Sequence, residues 1–298
     1  MNLRKLRYVD LVNCVGLTGT IPEWISEWSK ATALGLTGNK LTGTLPTSLI
    51  QMTQLQALAL DENLLTGGLA VLESLTDLDN LYVENNGFED TIGGDFLNGL
   101  EKLRKLDISG NKLSGQVPVH LMAKPDIEVM DVSHNFLTSF PDTIPANSTL
   151  QFLSIHDNPF DSQPFPASIV NLKTLTHLDI SSTGFTGTMP IDVAQLTFLR
   201  YLFMADTSFD PGPIPDGYQY LQQLRDFSLK ASSRTGTIPL WIEDLDRMVL
   251  LDLDSNELTG SIPEIIYDML SLEFLLLNRN RLNGTVPPYL DDARSIRK

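Results

Sequence analysis

Leu251–Pro263 reads LDLDSNELTGSIP, Leu106–Pro118 reads LDISGNKLSGQVP, and Leu34–Pro46 reads LGLTGNKLTGTLP. One thirteen-residue phrase therefore recurs with its Leu, Asn, Gly and Pro in the same places. Alignment on its Asn gives twelve equivalent positions: Cys14, Asn39, Asn63, Asn86, Asn111, Asn135, Asn158, Thr183, Thr207, Ser232, Asn256 and Asn280. Successive intervals run from 23 to 25 residues. A fixed period of this size marks a stacked-repeat array, which overrides the two-domain expectation that 298 residues would otherwise carry.

Each unit divides into parts with separate physical roles. An LxxLxL segment, such as Leu103, Leu106 and Ile108, alternates at its end and predicts a short strand with one buried face. At the Asn the chain leaves that strand, and the turn carbonyls need buried donors. A carboxamide supplies two N–H groups, and an unpaired buried carbonyl costs about 1–3 kcal/mol. The four exceptions, Cys, Thr, Thr and Ser, are small and each carries a donor. The following L-T/S-G-x-I/L/V-P run ends at a Pro that cannot donate to a ladder. Beyond it, apolar residues fall three apart, as in Pro190, Val193, Leu196, Leu199 and in Pro263, Ile266, Met269, Leu272. That spacing predicts a 3-10 return with one buried edge. One unit cannot bury its own Leu face, whereas a stack can.

The LxxLxLxxNxLTGxIP pattern resembles the plant-specific leucine-rich repeat class of receptor-kinase ectodomains, receptor-like proteins and polygalacturonase-inhibiting proteins. The resemblance covers essentially the whole chain. It implies an α/β leucine-rich repeat solenoid of about 12 repeats: a curved or twisted right-handed coil with a concave parallel sheet, a second short strand per repeat and convex 3-10 helices. Two departures stand out. The paired cysteines that usually cap such ectodomains are absent, since Cys14 is the only cysteine, and repeats three and four (LTGGLAVLES, FEDTIGGDFL) lack the Ile-Pro step.

Residues 1–298 are expected to form a single solenoid that begins and ends inside a repeat. Pro and the next repeat's first apolar residue lie nine apart, as in Pro22 and Ala31 or Pro118 and Ile127, and Pro287 plus nine is Ile296. The reading is a segment of a longer protein, or a decayed short family member in which the tail DDARSIRK serves as a crude cap.

A net charge of −16 excludes a nucleic-acid reader, which needs a basic face. No apolar run reaches the ~18–20 residues of a membrane span, and the first residues lack the plan of a signal peptide. No GxSxG, HExxH or phosphate loop is present, so no catalytic residues and no cofactor are predicted. Of the histidines, His156 and His177 sit ~13 Å apart along their strands at ~3.3 Å per residue, too far for one ion. His134 and His156 are nearer, but two imidazoles without a third ligand make no metal site. Asp107 and Asp131 occupy equivalent outward positions in adjacent strands. Asp10, Asp179 and Asp252 fill the same slot, so these read as a solvated repeat consensus.

Aromatic residues are more informative. The outward residue six before the aligned position is Phe152, His177 and Tyr201 in three successive units, which predicts a ring ladder, with Phe203 two residues further along. Extra residues in FDSQPFP and FDPGPIP predict two loops flanking that ladder. The candidate concave-face residues are Phe152, His156, His177, Asp179, Tyr201 and Phe203, with Tyr82 and Glu84 in unit four. Arg234 fills a slot that is usually Leu and is read as snorkelling from an opened turn, the other reading being a contact with Lys230. Asn147 and Asn283 begin N-x-S/T triplets and are candidate glycosylation sites. Trp28 fits the buried spacing, so it is assigned to the core.

The expected function is non-catalytic recognition of a protein or peptide, of basic or mixed charge, on the concave face. By resemblance the parent would be a receptor-like protein at the cell surface. Alternatives are an inhibitor of a secreted polysaccharide-degrading enzyme, a cytoplasmic scaffold, or an enzyme concealed in the repeats.

Overall fold

In the computed structural model, residues 3–285 are described. Pro287, Ile296 and the DDARSIRK tail, on which the end-of-chain expectations rest, lie outside them. The chain forms two compact units. The first runs through Pro141 and includes Pro145–Leu150; the second holds Asp142–Ile144 and continues from Gln151.

The first unit carries a parallel sheet of Tyr8–Asp10, Ala33–Gly35, Ala57–Ala59, Asn80–Tyr82, Lys105–Asp107 and Val129–Asp131, paired in chain order. The second unit repeats the plan with Phe152–Ser154, His177–Asp179, Tyr201–Phe203, Asp226–Ser228, Leu250–Asp252 and Phe274–Leu276. Register is set by the central apolar residue. In the first unit Leu34, Leu58, Leu81, Leu106 and Met130 align and are buried; in the second, Leu153, Leu178, Leu202, Phe227 and Leu251 do the same. A slip of one residue would turn every one of them to solvent.

The ladder residues do more than was expected of them. Asn111 Nδ2 donates to Ile108 O (3.1 Å) and Ser109 O (3.0 Å) of its own repeat, and to Val83 O (3.0 Å) of the repeat before. Its Oδ1 accepts the Phe88 N–H (3.1 Å), also one repeat back. Asn63, Asn86, Asn135, Asn256 and Asn280 repeat the pattern on both sides, so each carboxamide bolts two coils together. Asn39 donates in the same way, and Asn158 donates to Ile155 O and His156 O. Hydroxyls substitute only in part: Thr183, Thr207 and Ser232 donate to the carbonyl three residues back (2.6, 3.0 and 2.6 Å). The Cys14 thiol, exposed, reaches Val12 O at 3.8 Å.

The residue just before each ladder position is left-handed: Gly38 and Gly110, but also Asn13, Glu62, Asn85, His134, Asp157, Ser182, Asp206, Ala231, Ser255 and Arg279. This reverses the chain out of the strand. It then enters the second extended piece, which pairs into short parallel sheets such as Lys40–Gly43 with Leu64–Gly67, and Asn158–Pro164 with Thr183–Gly187. The Gly of L-T/S-G is also left-handed there. At Gly115 (φ 97°) an added Cβ would stand 2.4 Å from Ile92 O, so both torsion and space require glycine. In repeat three the second strand forms despite the missing Ile-Pro step. In repeat four it breaks into Gly87–Phe88 and Thr91–Ile92.

The returns are 3-10 helices. After Pro190, N–H groups of Val193, Leu196 and Leu199 each bond the carbonyl three residues back, and all three side chains are buried. The spacing of three thus places every third residue against the core. Trp28 is buried at 8% exposure, while Trp24 beside it stays open at 56% and meets it edge-on.

Arg234 departs from the sequence reading. It does not snorkel: it is 1% exposed, with Nε on Ser232 O (2.7 Å) and Nη2 on Asp210 O (2.6 Å). The reason is the extra residue of FDPGPIP. It widens the ninth repeat at Asp210–Gly212, and the guanidinium fills that space while Gly212 bridges to Arg234. Burial pulls its pKa below the ordinary range, opposed by Tyr218 and Asp210. The other insertion also forms no free loop. The extra residue of FDSQPFP is absorbed as a register shift within Asn158–Pro164, over the packed rings of Phe160, Phe165 and Phe185.

Candidate concave binding face

Outward residues of the strands form columns one strand apart. In the second unit, Phe152, His177 and Tyr201 are register partners, and their rings touch. The His177 ring lies 4.1 Å from Phe152, nearly parallel at 20°, and 5.5 Å from Tyr201 at 37°. Phe203, two residues along from Tyr201, closes on His177 at 5.7 Å. The expected ladder therefore exists as a patch of four rings, each only half buried. The pairing fixes it, because the strands that bear His177, Tyr201 and Phe203 are each bonded on both sides.

Asp179 borders the patch as the register partner of Phe203. Its Oδ1 accepts the Ser181 N–H at 2.9 Å. This resolves the LDxS consensus: Asp107 and Asp131 likewise each accept both N–H and Oγ of the Ser two residues on, at 3.0 and 2.6 Å. These carboxylates brace the turn rather than standing simply solvated. His156 stands outside the ring patch, at the turn end of its strand, with Nδ1 2.7 Å from Asp157 Oδ2.

The first unit places Tyr82 at the end of its strand and Glu84 two residues beyond it, in an acidic setting. Glu84 is pushed up to about 7, first by burial and then by Asp107 and Asp61, and its Oε2 is buried without a hydrogen bond. Tyr82 is raised by burial and then by Glu84, and Asp107 by burial against the pull of Ser109. Residues 51–100 contain nine carboxylates and no Lys or Arg, so little nearby charge offsets them. Asn147 and Asn283 are both exposed, as glycan attachment requires.

Sequence reasoning missed Asp226, the next residue of the aromatic column. It pairs in register with Tyr201, burial raises its carboxyl above the usual range, and its Oδ1 is buried without a hydrogen bond. The column itself was the available signal, since Asp226 follows Tyr201 in it.

Strands, carboxamide ladder and 3-10 returns together define a leucine-rich repeat protein. The Leucine Rich Repeat family profile matches residues 102–123 and 247–269. Receptor-like protein 49 of Arabidopsis thaliana is 34% identical over 104 residues, which is 34% of this chain and 12% of that protein. A TDR receptor structure superposes with a TM-score of 0.87 at 27% identity, covering 98% of this chain and 50% of its own. The Arabidopsis receptor kinase HAESA, solved with the peptide hormone IDA and the co-receptor SERK1, gives 0.73 at 26%, covering 99% and 53%. The chain has the leucine-rich repeat fold and is similar to plant receptor-like proteins; it spans about one eighth of the length of the curated relative. Among the described residues, no helix is long and apolar enough to cross a membrane.

Proposed function

We propose that this chain is the ligand-sensing part of a receptor-like cell-surface protein, and that it takes a peptide or protein segment on its strand faces. The observation that carries this reading is the patch of Phe152, His177, Tyr201 and Phe203. Four half-buried rings on rigid, paired backbone form an apolar centre with little left to order on binding. HAESA, of the same fold, is solved with a peptide hormone. The same relatives support a position at the cell surface and a recognition role without catalysis.

The test is selection of a random dodecapeptide display library on the chain, with the Phe152→Ala/Tyr201→Ala/Phe203→Ala variant as counter-target. Clones that bind the parent at least tenfold better than the variant are expected, with the variant's circular dichroism unchanged. A library that gives no such clones removes the patch as a binding centre.

A further inference from the structure

In the repeats with an Asp in the LDxS slot and in the repeat of Asp226, the strand-face carboxylates differ in how they are held. Those four residues before the ladder position are braced by the backbone N–H two residues on: Asp10 by Val12 (3.1 Å), Asp107 by Ser109 (3.0 Å), Asp179 by Ser181 (2.9 Å) and Asp252 by Asp254 (3.1 Å). Asp226 stands two residues earlier in its repeat, in the aromatic column, where no such N–H exists. Its Oδ1 is buried and makes no hydrogen bond. The nearest cation, Arg225 Nε, is 4.0 Å away, beyond hydrogen-bond reach, on a side chain 57% exposed at the start of the strand. Burial raises the carboxyl in spite of Arg225. A carboxylate with one oxygen buried and without a donor, on a side chain still 26% exposed, contributes little to folding and is open to a donor from outside.

Its neighbour in the column is Tyr201, whose other side faces His177 at 5.5 Å. Paired strands lie ~4.8 Å apart, so a cation placed over the Tyr201 ring falls within ion-pair distance of Asp226. Ring face and carboxylate then attract the same positive group from two sides. Asp252, register partner of Ser228, takes the Ser228 hydroxyl at 3.1 Å and adds negative charge one strand further on, while Lys230 lies four residues beyond Asp226, past the end of that strand.

We infer that Asp226 and Tyr201 together read a basic side chain, lysine or arginine, of an extended peptide laid across the second unit's strands. This rests on the peptide-binding reading above and adds the chemistry of one ligand position. The aromatic patch supplies apolar contact, and Asp226 decides which charge is accepted beside it.

The experiment uses peptides enriched on the full chain by the selection above. A Lys or Arg at one fixed position is expected, and changing it to Gln should weaken binding about tenfold. Asp226→Asn, isosteric and relieved of a buried charge, should melt no lower than the parent. It should bind the basic peptide about tenfold more weakly and the Gln peptide within twofold of the parent. Tyr201→Leu should also lose more affinity for the basic peptide than for its Gln form. Enriched peptides without a basic position, or equal binding of the basic peptide by Asp226→Asn, would overturn the inference and leave the aromatic patch standing. Failure of the library to distinguish the parent from the triple-alanine variant would remove both.

Discussion

Asn111 offers the sharpest test of how the coils are joined. Replacing it with Ala does not strip every carbonyl it serves. Val83 O keeps Asn86 Nδ2 at 3.2 Å, Ile108 O keeps Asn135 Nδ2 at 3.0 Å, and Ser109 O keeps the Asn85 N–H at 3.0 Å. The group left bare is the Phe88 N–H, whose acceptor is Asn111 Oδ1. Orphaning it costs about 1–3 kcal/mol, and losing the two donors adds about 1 kcal/mol each, so Asn111→Ala should destabilise by about 3–5 kcal/mol. Asn111→Thr restores one bond to Ile108 O, the bond that Thr183 and Thr207 make in their own repeats, and should recover about 1 kcal/mol. Asn111→Asp retains the acceptor for Phe88 but turns a carboxylate toward three carbonyls. It should be worse than Ala at pH 7. Its folded pKa would be raised, so stability should return as pH falls through that value toward the unfolded one. Urea unfolding followed by circular dichroism and by the fluorescence of Trp24, Trp28 and Trp241 measures the series. An Asp variant as stable as the parent at pH 7, or a Thr variant no better than Ala, would refute the two-sided role.

Three further outcomes are expected. Arg234→Leu restores the usual residue of the motif yet leaves Asp210 O and Ser232 O without their guanidinium donor, and should lose about 2–4 kcal/mol in thermal unfolding; an unchanged melting point would show that the insertion does not need Arg234. Glu84 has a folded pKa raised to about 7, so its favourable contribution is complete below the unfolded carboxyl value and is lost as pH rises through 7. Glu84→Gln should therefore stabilise the chain at pH 8 and change little at pH 4, as read from urea midpoints at the two pH values. Ala231 holds φ 47° without a side chain that favours it, so Ala231→Gly should raise stability by up to about 1 kcal/mol in the same assay; a loss would mean its methyl group packs better than its backbone suffers.

Periodicity made the scaffold legible because each repeat restates the same physical need. Leu106 and Ile108 alternate, Val193, Leu196 and Leu199 fall three apart, and all five prove buried. The ring patch was legible for the same reason, since a column across strands is a fixed offset in sequence. What escaped depends on pairs of atoms in neighbouring repeats. The acceptor role of Asn111 Oδ1 needs the position of Phe88 N–H, which spacing alone does not give. The left-handed column was partly signalled by Gly38, Gly110, Asn13 and Asn85, but Glu62 and Arg279 hid it. Arg234 was misread because its partner is a backbone carbonyl made available only by an insertion 24 residues earlier. Asp226 looked like one acid among 37, and its buried oxygen without a hydrogen bond, a feature it shares with Glu84, has no signal in the sequence.

The hydroxyl rungs at Thr183, Thr207 and Ser232 fall in the repeats that bear His177, Tyr201, Phe203 and Asp226. Each donates within its own coil and, unlike the carboxamides, sends no side-chain donor back to the one before. Under the ring patch, adjacent layers are thus held by main chain and apolar packing with fewer rivets than the carboxamides give elsewhere, so resistance of the stack to shear between coils should be lowest there.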